Sequence, residues 1–234
     1  MIPLLEMLLL VVLSTYIGWQ IVVLLVVPAL VVLIVTVMGV LAPGLSRPVP
    51  TPVGAVSVRA GIVYGSAAFV LATGLERLYE VRISKKNAAI AMAKGGREYG
   101  RGEYPWMVAL HTGLLVGAVA EVWIFDRPFI IWLGIPMLII AIACQVGRYW
   151  VISSLGWQWN TRVIVVPGAP RVRRGPYRFA WLRHPNYWIV VIEGIALPMI
   201  HTAWITAIVF TVLNAIFLLG FRIPVENKAL ASLT

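Results

Sequence analysis

Long apolar segments separated by two strongly basic segments dominate this chain of 234 residues. Hydrophobic residues make up 61% of the sequence and charged residues only 12%, whereas soluble domains are about half apolar and about a quarter charged. A hydrocarbon core about 30 Å thick needs about 20 mostly apolar residues for each helical span. The pattern therefore predicts an all-α integral membrane protein, a bundle of about five to seven transmembrane helices.

Apolar runs and proline clusters set the predicted order of elements. Residues 2–41 are long enough for one or two helices, and the prolines that follow, from Pro43 to Pro52, mark a loop. The remaining apolar segments predict three single spans and a final helical hairpin, at 58–81, 106–125, 129–152 and 186–221. We therefore divide the chain into an N-terminal part, 1–57, and a core, 58–234.

The basic residues predict how the core is oriented. The polar segments 82–103, predicted as a loop, and 153–185 hold six basic residues each, and such residues favour the cytoplasmic side. An active site built from these segments and the C-terminal tail would face the cytosol, in the plasma or inner membrane of a bacterium or in the endoplasmic reticulum of a eukaryote. Because the net charge of +10 lies in flanks of apolar runs, we expect no nucleic-acid partner.

A cluster of polar side chains lies where the second basic segment meets an apolar run. Arginines are costly inside hydrocarbon, so a cluster at this position is either a cytoplasmic flank or a pocket for an anionic or nucleotide-like ligand. The members are Arg174, Tyr177, Arg178, Arg183, His184 and Asn186.

The motifs of this region resemble those of the isoprenylcysteine carboxyl methyltransferase family, in its bacterial membrane branch. The motifs are Gly175-Pro176-Tyr177-Arg178, Arg183-His184-Pro185-Asn186-Tyr187, Glu193 and the tail Glu226-Asn227. The resemblance covers roughly residues 60 to 230 and is strongest over 156–227. This chain has four residues between Arg178 and Arg183, where the family pattern has about two, so the linker is either not helical or arranges the site differently.

The resemblance implies methyl transfer from S-adenosylmethionine to a lipophilic acceptor that enters from the membrane lipid. The acceptor would carry a carboxylate, phenol or enol, on a prenylated molecule or another lipophilic small molecule, and the donor site would lie mainly within 156–230. By the same resemblance, the expected cofactor-binding residues are Tyr177, Arg178, Arg183, His184, Pro185, Asn186, Tyr187 and Glu226. The expected catalytic residues are Glu193, which belongs to the motifs, and Arg148 and Arg222, whose guanidinium groups suit an anionic acceptor group.

Other interpretations stay open for several of these residues. His184 precedes Pro185, which favours a helix start, so its alternative role is a cap. Glu193 is an acid within an apolar run and should pair with an arginine, either Arg148 or Arg222. Arg148 itself could instead extend to the membrane surface.

Two other classes of function compete with methyl transfer. A reductase of the sterol-reductase-like class would bind NADPH in a comparable place, and a channel or scaffold would have no catalytic site. The three histidines are scattered and the single cysteine, Cys144, lies in an apolar run, so we expect no metal site.

Overall fold

The computed structural model describes residues 49–51, 54–56, 58–179, 182 and 184–231, with side chains from residue 65 onward. The prediction for 2–41 and the predicted site residue Arg183 therefore lie outside the described residues. The chain divides into two units, Met1–Thr73 and Gly74–Thr234. In the first unit, strand β1 (Val49–Thr51) pairs antiparallel with β2 (Gly54–Val56).

Helices make up most of the second unit. The α-helices among the described residues are α1 (Val58–Ala93), α2 (Tyr104–Ile124), α3 (Ile131–Leu155), α4 (Pro185–Met199), α5 (Trp204–Phe217) and α6 (Ile223–Ala231). The predicted hairpin is present as α4 and α5, which meet at a turn over residues 200–203. Three-residue strands β3 (Arg97–Tyr99) and β4 (Val163–Val165) pair antiparallel, so the fold is mostly helical rather than all-α.

Helix α1 continues to Ala93, so the prediction of a loop over 82–103 was wrong for its first twelve residues. The helix buries a stripe of side chains at spacings of three and four residues, which is the period of one helical face. The stripe consists of Glu76, Glu80, Ser84, Asn87 and Ala91, all buried, while Arg82, Lys85 and Lys86 beside it are exposed. Apolar content therefore did not predict how far this helix extends, because the buried face of the helix is polar.

Three helical segments among the described residues are long and apolar enough to cross a membrane. They are Arg101–Ile124, Ile131–Gln158 and Trp204–Ala231. The first two agree with the spans predicted at 106–125 and 129–152, and the third contains the second arm of the hairpin. The predicted span at 58–81 is not among them. Helix α4, with 15 residues, rises about 22 Å and is shorter than these segments.

Exposed tryptophans lie at both ends of the bundle. Trp106, Trp150 and Trp188 lie near the end where α2 and α4 begin and α3 ends, and Trp123, Trp132 and Trp204 lie near the other end. Trp106 and Trp123 are 17 residues apart on α2, or about 26 Å at the helical rise. This separation matches two aromatic belts at the faces of a bilayer. We call the first end the site end and the other the far end.

The far end is held together by polar contacts between helices. The Glu121 carboxylate of α2 accepts hydrogen bonds from the backbone N–H groups of Ile205 (3.1 Å) and Thr206 (2.7 Å), which are unpaired in the first turn of α5. The Thr202 hydroxyl donates to the Pro128 carbonyl at 3.0 Å. These contacts fix the hairpin against α2 and α3, so that α4 starts and α5 ends at the site end.

Candidate functional site

A cavity of about 1120 Å³ lies at the site end of the second unit. It is lined by the segment that follows α3, by the motif region before α4 and by α6. Among its lining residues are Trp157, Asn160, Arg162, Tyr177, Arg178, His184, Asn186, Tyr187, Arg222, Glu226, Asn227 and Leu230. The structure therefore brings together most of the residues that the sequence predicted for cofactor binding.

One face of α6 supplies a wall of the cavity. A π-helical turn, Leu218–Arg222, connects α5 to α6, and such turns occur frequently at functional sites. Arg222, Glu226 and Leu230 follow at intervals of four residues, which places them on one side of the helix. All three line the cavity, so the tail carries both a cation and an anion into the site.

The centre of the site is a contact between the start of α4 and Glu226. His184 occupies the N-cap position of α4 without a side-chain capping hydrogen bond, and Pro185 occupies the first turn, where proline is favoured. The His184 Nδ1 atom lies 3.2 Å from Glu226 Oε1, and the Tyr187 hydroxyl donates a hydrogen bond to Glu226 Oε2. The His184 and Tyr187 rings stack, with 5.4 Å between their centroids. Residues some forty positions apart thus meet because α4 and α5 run antiparallel.

Several buried polar atoms of the lining have no hydrogen-bond partner among the described residues. They are Asn160 Nδ2, Asn186 Oδ1 and Arg222 Nε. Buried polar atoms are normally paired, so this group is typical of a site that binds a polar ligand. Burial and the nearby Glu226 carboxylate raise the pKa of Tyr177, which keeps its phenol neutral.

The long linker after Arg178 does not separate the two halves of the motif. Of its described residues, Phe179 and Leu182 are not helical, and the Leu182 N–H donates to the Phe179 carbonyl at 3.0 Å. Tyr177 on one side of this turn and His184 on the other line the same cavity. The described residues of the linker are therefore not helical, which is the first of the two alternatives predicted from the sequence.

Arg148 and Glu193, two of the three expected catalytic residues, are absent from the described lining and belong to a second group inside the bundle. Arg148 donates a hydrogen bond to Glu193 Oε2, and this is one of the two arginine pairings predicted for Glu193. Arg77 Nη2 lies 2.7 Å and Gln145 Nε2 lies 2.6 Å from Glu193 Oε1. Arg77 also contacts Glu80 at 2.7 Å. The catalytic roles of Arg148 and Glu193 stay predictions.

Arg222, the third expected catalytic residue, lines the cavity and does not contact Glu193. Its Nη2 group donates to the Thr161 carbonyl instead. The segment 156–162, which contains Thr161, is tied to α1: the Asn87 side chain donates to the carbonyls of Gly156 (3.1 Å) and Trp159 (2.7 Å). The sequence interpretation missed Asn87 and Ser84, although the spacing of polar residues along α1 is a signal that identifies their face.

Comparison with known proteins agrees with this geometry. A family model described as the isoprenylcysteine carboxyl methyltransferase (ICMT) family matches residues 137–232. "Uncharacterized protein YpbQ" of Bacillus subtilis is 36% identical over 157 residues, which are 67% of this chain and 90% of that protein. An uncharacterized protein of Haemophilus influenzae is 28% identical over 160 residues, which are likewise 67% of this chain and 90% of that protein. No solved structure matches this chain.

The matched segment contains the second half of α3, the motif region and all of α4 to α6, and therefore every described residue at the centre of the cavity. The relative from Bacillus subtilis is matched over nearly its whole length. The chain belongs to the isoprenylcysteine carboxyl methyltransferase family of membrane methyltransferases.

Proposed function

We propose that this protein transfers a methyl group from S-adenosylmethionine to a lipophilic acceptor at the cytosolic edge of the membrane. The observation that carries the proposal is the contact of His184 and Tyr187 with Glu226 inside one cavity of about 1120 Å³. Family membership supports the reaction class, and the arrangement of the side chains supports the donor and the place.

The residues present fit the groups of S-adenosylmethionine. Glu226 offers carboxylate oxygens to an ammonium or to ribose hydroxyls, and the Arg222 guanidinium, whose Nε atom has no hydrogen-bond partner among the described residues, suits a carboxylate. Tyr177 and Trp157 offer flat apolar surfaces for a purine ring. The donor supplies an electrophilic methyl group on a sulfonium sulfur. The contribution of the protein is to hold that methyl in line with the attacking oxygen.

Part of the cavity lining suits a lipophilic acceptor. Its apolar members come from the segment after β4, the linker after Arg178 and the end of α6: Val166, Val172, Phe179, Leu182 and Leu230. The cavity exceeds the usual range of small-molecule sites, about 300–1,000 Å³, so a donor and part of an acceptor can bind together. A carboxylate acceptor needs no general base, whereas a phenol or enol would give its proton to a group such as His184.

The distribution of charge supports a cytosolic site. Exposed basic residues gather at the site end: Lys85, Lys86, Lys94, Arg97, Arg101, Arg171, Arg173, Arg174 and Arg178. At the far end, Arg127 lies 2.9 Å from Glu121 and is neutralised by it. By the positive-inside rule, the site end faces the cytosol. The membrane is then the plasma or inner membrane in a bacterium and the endoplasmic reticulum in a eukaryote.

Calorimetry of the purified protein with S-adenosylhomocysteine tests the donor. We expect saturable binding to one site, and we expect a His184→Ala variant to bind more weakly because the pocket loses a wall and Glu226 loses a partner. Incubation of membranes with methyl-labelled S-adenosylmethionine should then transfer label to the lipid extract. If the protein does not bind S-adenosylhomocysteine, and NADPH alone raises its unfolding temperature, the reductase interpretation replaces this proposal.

A further inference from the structure

Ser84 connects helix α1 to the wall of the cavity. Its side chain is buried, with 3% of the residue exposed. The Ser84 hydroxyl oxygen accepts a hydrogen bond from the Thr161 backbone N–H at 3.0 Å and lies 2.8 Å from the Thr161 hydroxyl. A serine hydroxyl has two acceptor lone pairs and one donor, so it can make both contacts at once. Thr161 is therefore held from its N–H side by α1.

Arg222 binds the other side of the same residue. Its guanidinium donates through Nη2 to the Thr161 carbonyl, and the residue is 6% exposed. Its Nε atom has no partner among the described residues and lies in the lining of the cavity. The Thr161 carbonyl is therefore one of the groups that orient this guanidinium, which also interacts with the Tyr187 hydroxyl and the Glu226 carboxylate.

We propose that Ser84 is a positioning residue that orients Arg222 through the Thr161 backbone. The inference rests on the proposed function, since Arg222 matters only if the cavity binds the donor. Without the Ser84 hydroxyl, the partly buried Thr161 N–H loses its acceptor, and an unpaired donor shielded from water is costly. The peptide then shifts to find another partner, and the carbonyl that holds Arg222 shifts with it.

The contacts of the Ser84 hydroxyl are confined to Thr161 and to Asn160 Oδ1, which lies 3.5 Å away, because α1 anchors the earlier part of the segment separately. Asn87 donates to the Gly156 and Trp159 carbonyls, and neither bond involves Ser84. Removal of the Ser84 hydroxyl therefore leaves the position of Trp157 and Trp159 unchanged. Ser84 lies outside the segment that the family model matches, residues 137–232.

A double-mutant cycle on the full-length protein tests the inference, with calorimetry of S-adenosylhomocysteine as the measurement. We expect Ser84→Ala to weaken binding about tenfold, as the loss of one buried hydrogen bond does. In an Arg222→Gln background, the same change should weaken binding less than twofold, because the two residues act as one unit. Ser153→Ala is the matched control: its hydroxyl is exposed and donates within α3 to the Trp150 carbonyl.

Each outcome of the cycle decides a separate question. If the wild-type protein binds no S-adenosylhomocysteine, the proposed function fails first. If the wild type binds and Ser84→Ala binds equally well, or loses the same factor in both backgrounds, only the positioning role is overturned. Should Ser84→Ala fail to fold, Ser84→Cys keeps a weaker acceptor at the same place, and it must bind more weakly than the wild type by a factor that the Arg222→Gln background abolishes.

Discussion

At the scale of single residues, Glu226 is the side chain on which the site depends. Its two oxygens contact different residues, His184 and Tyr187, and both contacts lie in the cavity. The acid therefore fixes the start of α4 and also presents negative charge to a ligand. A neighbouring residue, Asn227, lines the same cavity with an uncharged amide. The effects of substitutions at Glu226 and Asn227 on ligand binding can be compared directly.

We expect Glu226→Gln to weaken binding of S-adenosylhomocysteine about 10- to 100-fold, because hydrogen bonds to a charged group are worth about 1.5–3 kcal/mol. The amide keeps the shape of the side chain but loses the charge that an ammonium or a ribose hydroxyl would meet. Calorimetry gives the dissociation constants. Asn227→Ala, measured beside it, should change affinity less than threefold, and an equal loss in both variants would contradict the role of Glu226.

At the scale of elements, the buried charge group joins three helices. Glu193 of α4 contacts Arg77 of α1 and Arg148 of α3, and the Arg148 Nε atom lies 3.7 Å from Glu80. Each of these side chains is less than 20% exposed. Removal of one partner from a buried pair leaves an uncompensated charge, which is far more costly than the pair itself. The group therefore sets the packing of α4, whose first residues form the site.

Glu193→Gln should lower the free energy of unfolding by about 3–5 kcal/mol, since both guanidinium groups lose their shared carboxylate. Chemical unfolding in detergent, followed by tryptophan fluorescence, measures the change. Glu76→Gln is the control within the same buried stripe: Glu76 Oε2 accepts no hydrogen bond from the described residues. Three carboxylates face two guanidinium groups here, so loss of the Glu76 carboxylate should change stability by less than 1 kcal/mol. The reverse order of the two variants would refute this account.

The elements differ in how far the sequence could predict them. The hairpin of α4 and α5 and the two apolar spans follow from apolar runs bounded by Pro185 and by the turn at 200–203, which are local signals. The far half of α1 was missed because its buried face is polar and only its partners, such as Thr161, reveal why it is buried. Pairing of β3 with β4 is likewise a contact between distant segments, and no local pattern indicates it.

The same reasoning explains which parts of the site were predictable. The motif residues Tyr177, His184 and Tyr187 carry a family pattern, so their shared location could be expected before the structure. The sequence could not predict that Arg148 lies outside the described lining. A position along a helix shows which residues share a face, but it does not show which neighbouring element that face contacts. Ser84 belongs to none of the motifs, and its contact with Thr161 joins residues 77 positions apart in the sequence.

At the scale of the whole second unit, three independent features identify the same end of the bundle. The tryptophans Trp106, Trp150 and Trp188 mark a membrane face, the exposed basic residues lie beyond it, and the cavity opens among them. Under the proposed function, a site at this level receives a water-soluble donor from one side and a lipid-borne acceptor from the other. The proposed cytosolic orientation places the cavity where that donor is supplied.

Labelling of single cysteines with a membrane-impermeant maleimide tests this orientation. The sequence has one cysteine, the buried Cys144, so Cys144→Ala gives a background without thiols. In that background Arg173→Cys places a thiol at the site end and Pro128→Cys places one at the far end, both at exposed positions. In intact bacterial cells we expect the far-end thiol to react and the site-end thiol to react only after permeabilisation. The opposite pattern would place the cavity outside the cytosol, where S-adenosylmethionine is not supplied, and both the orientation and the proposed donor would have to be abandoned.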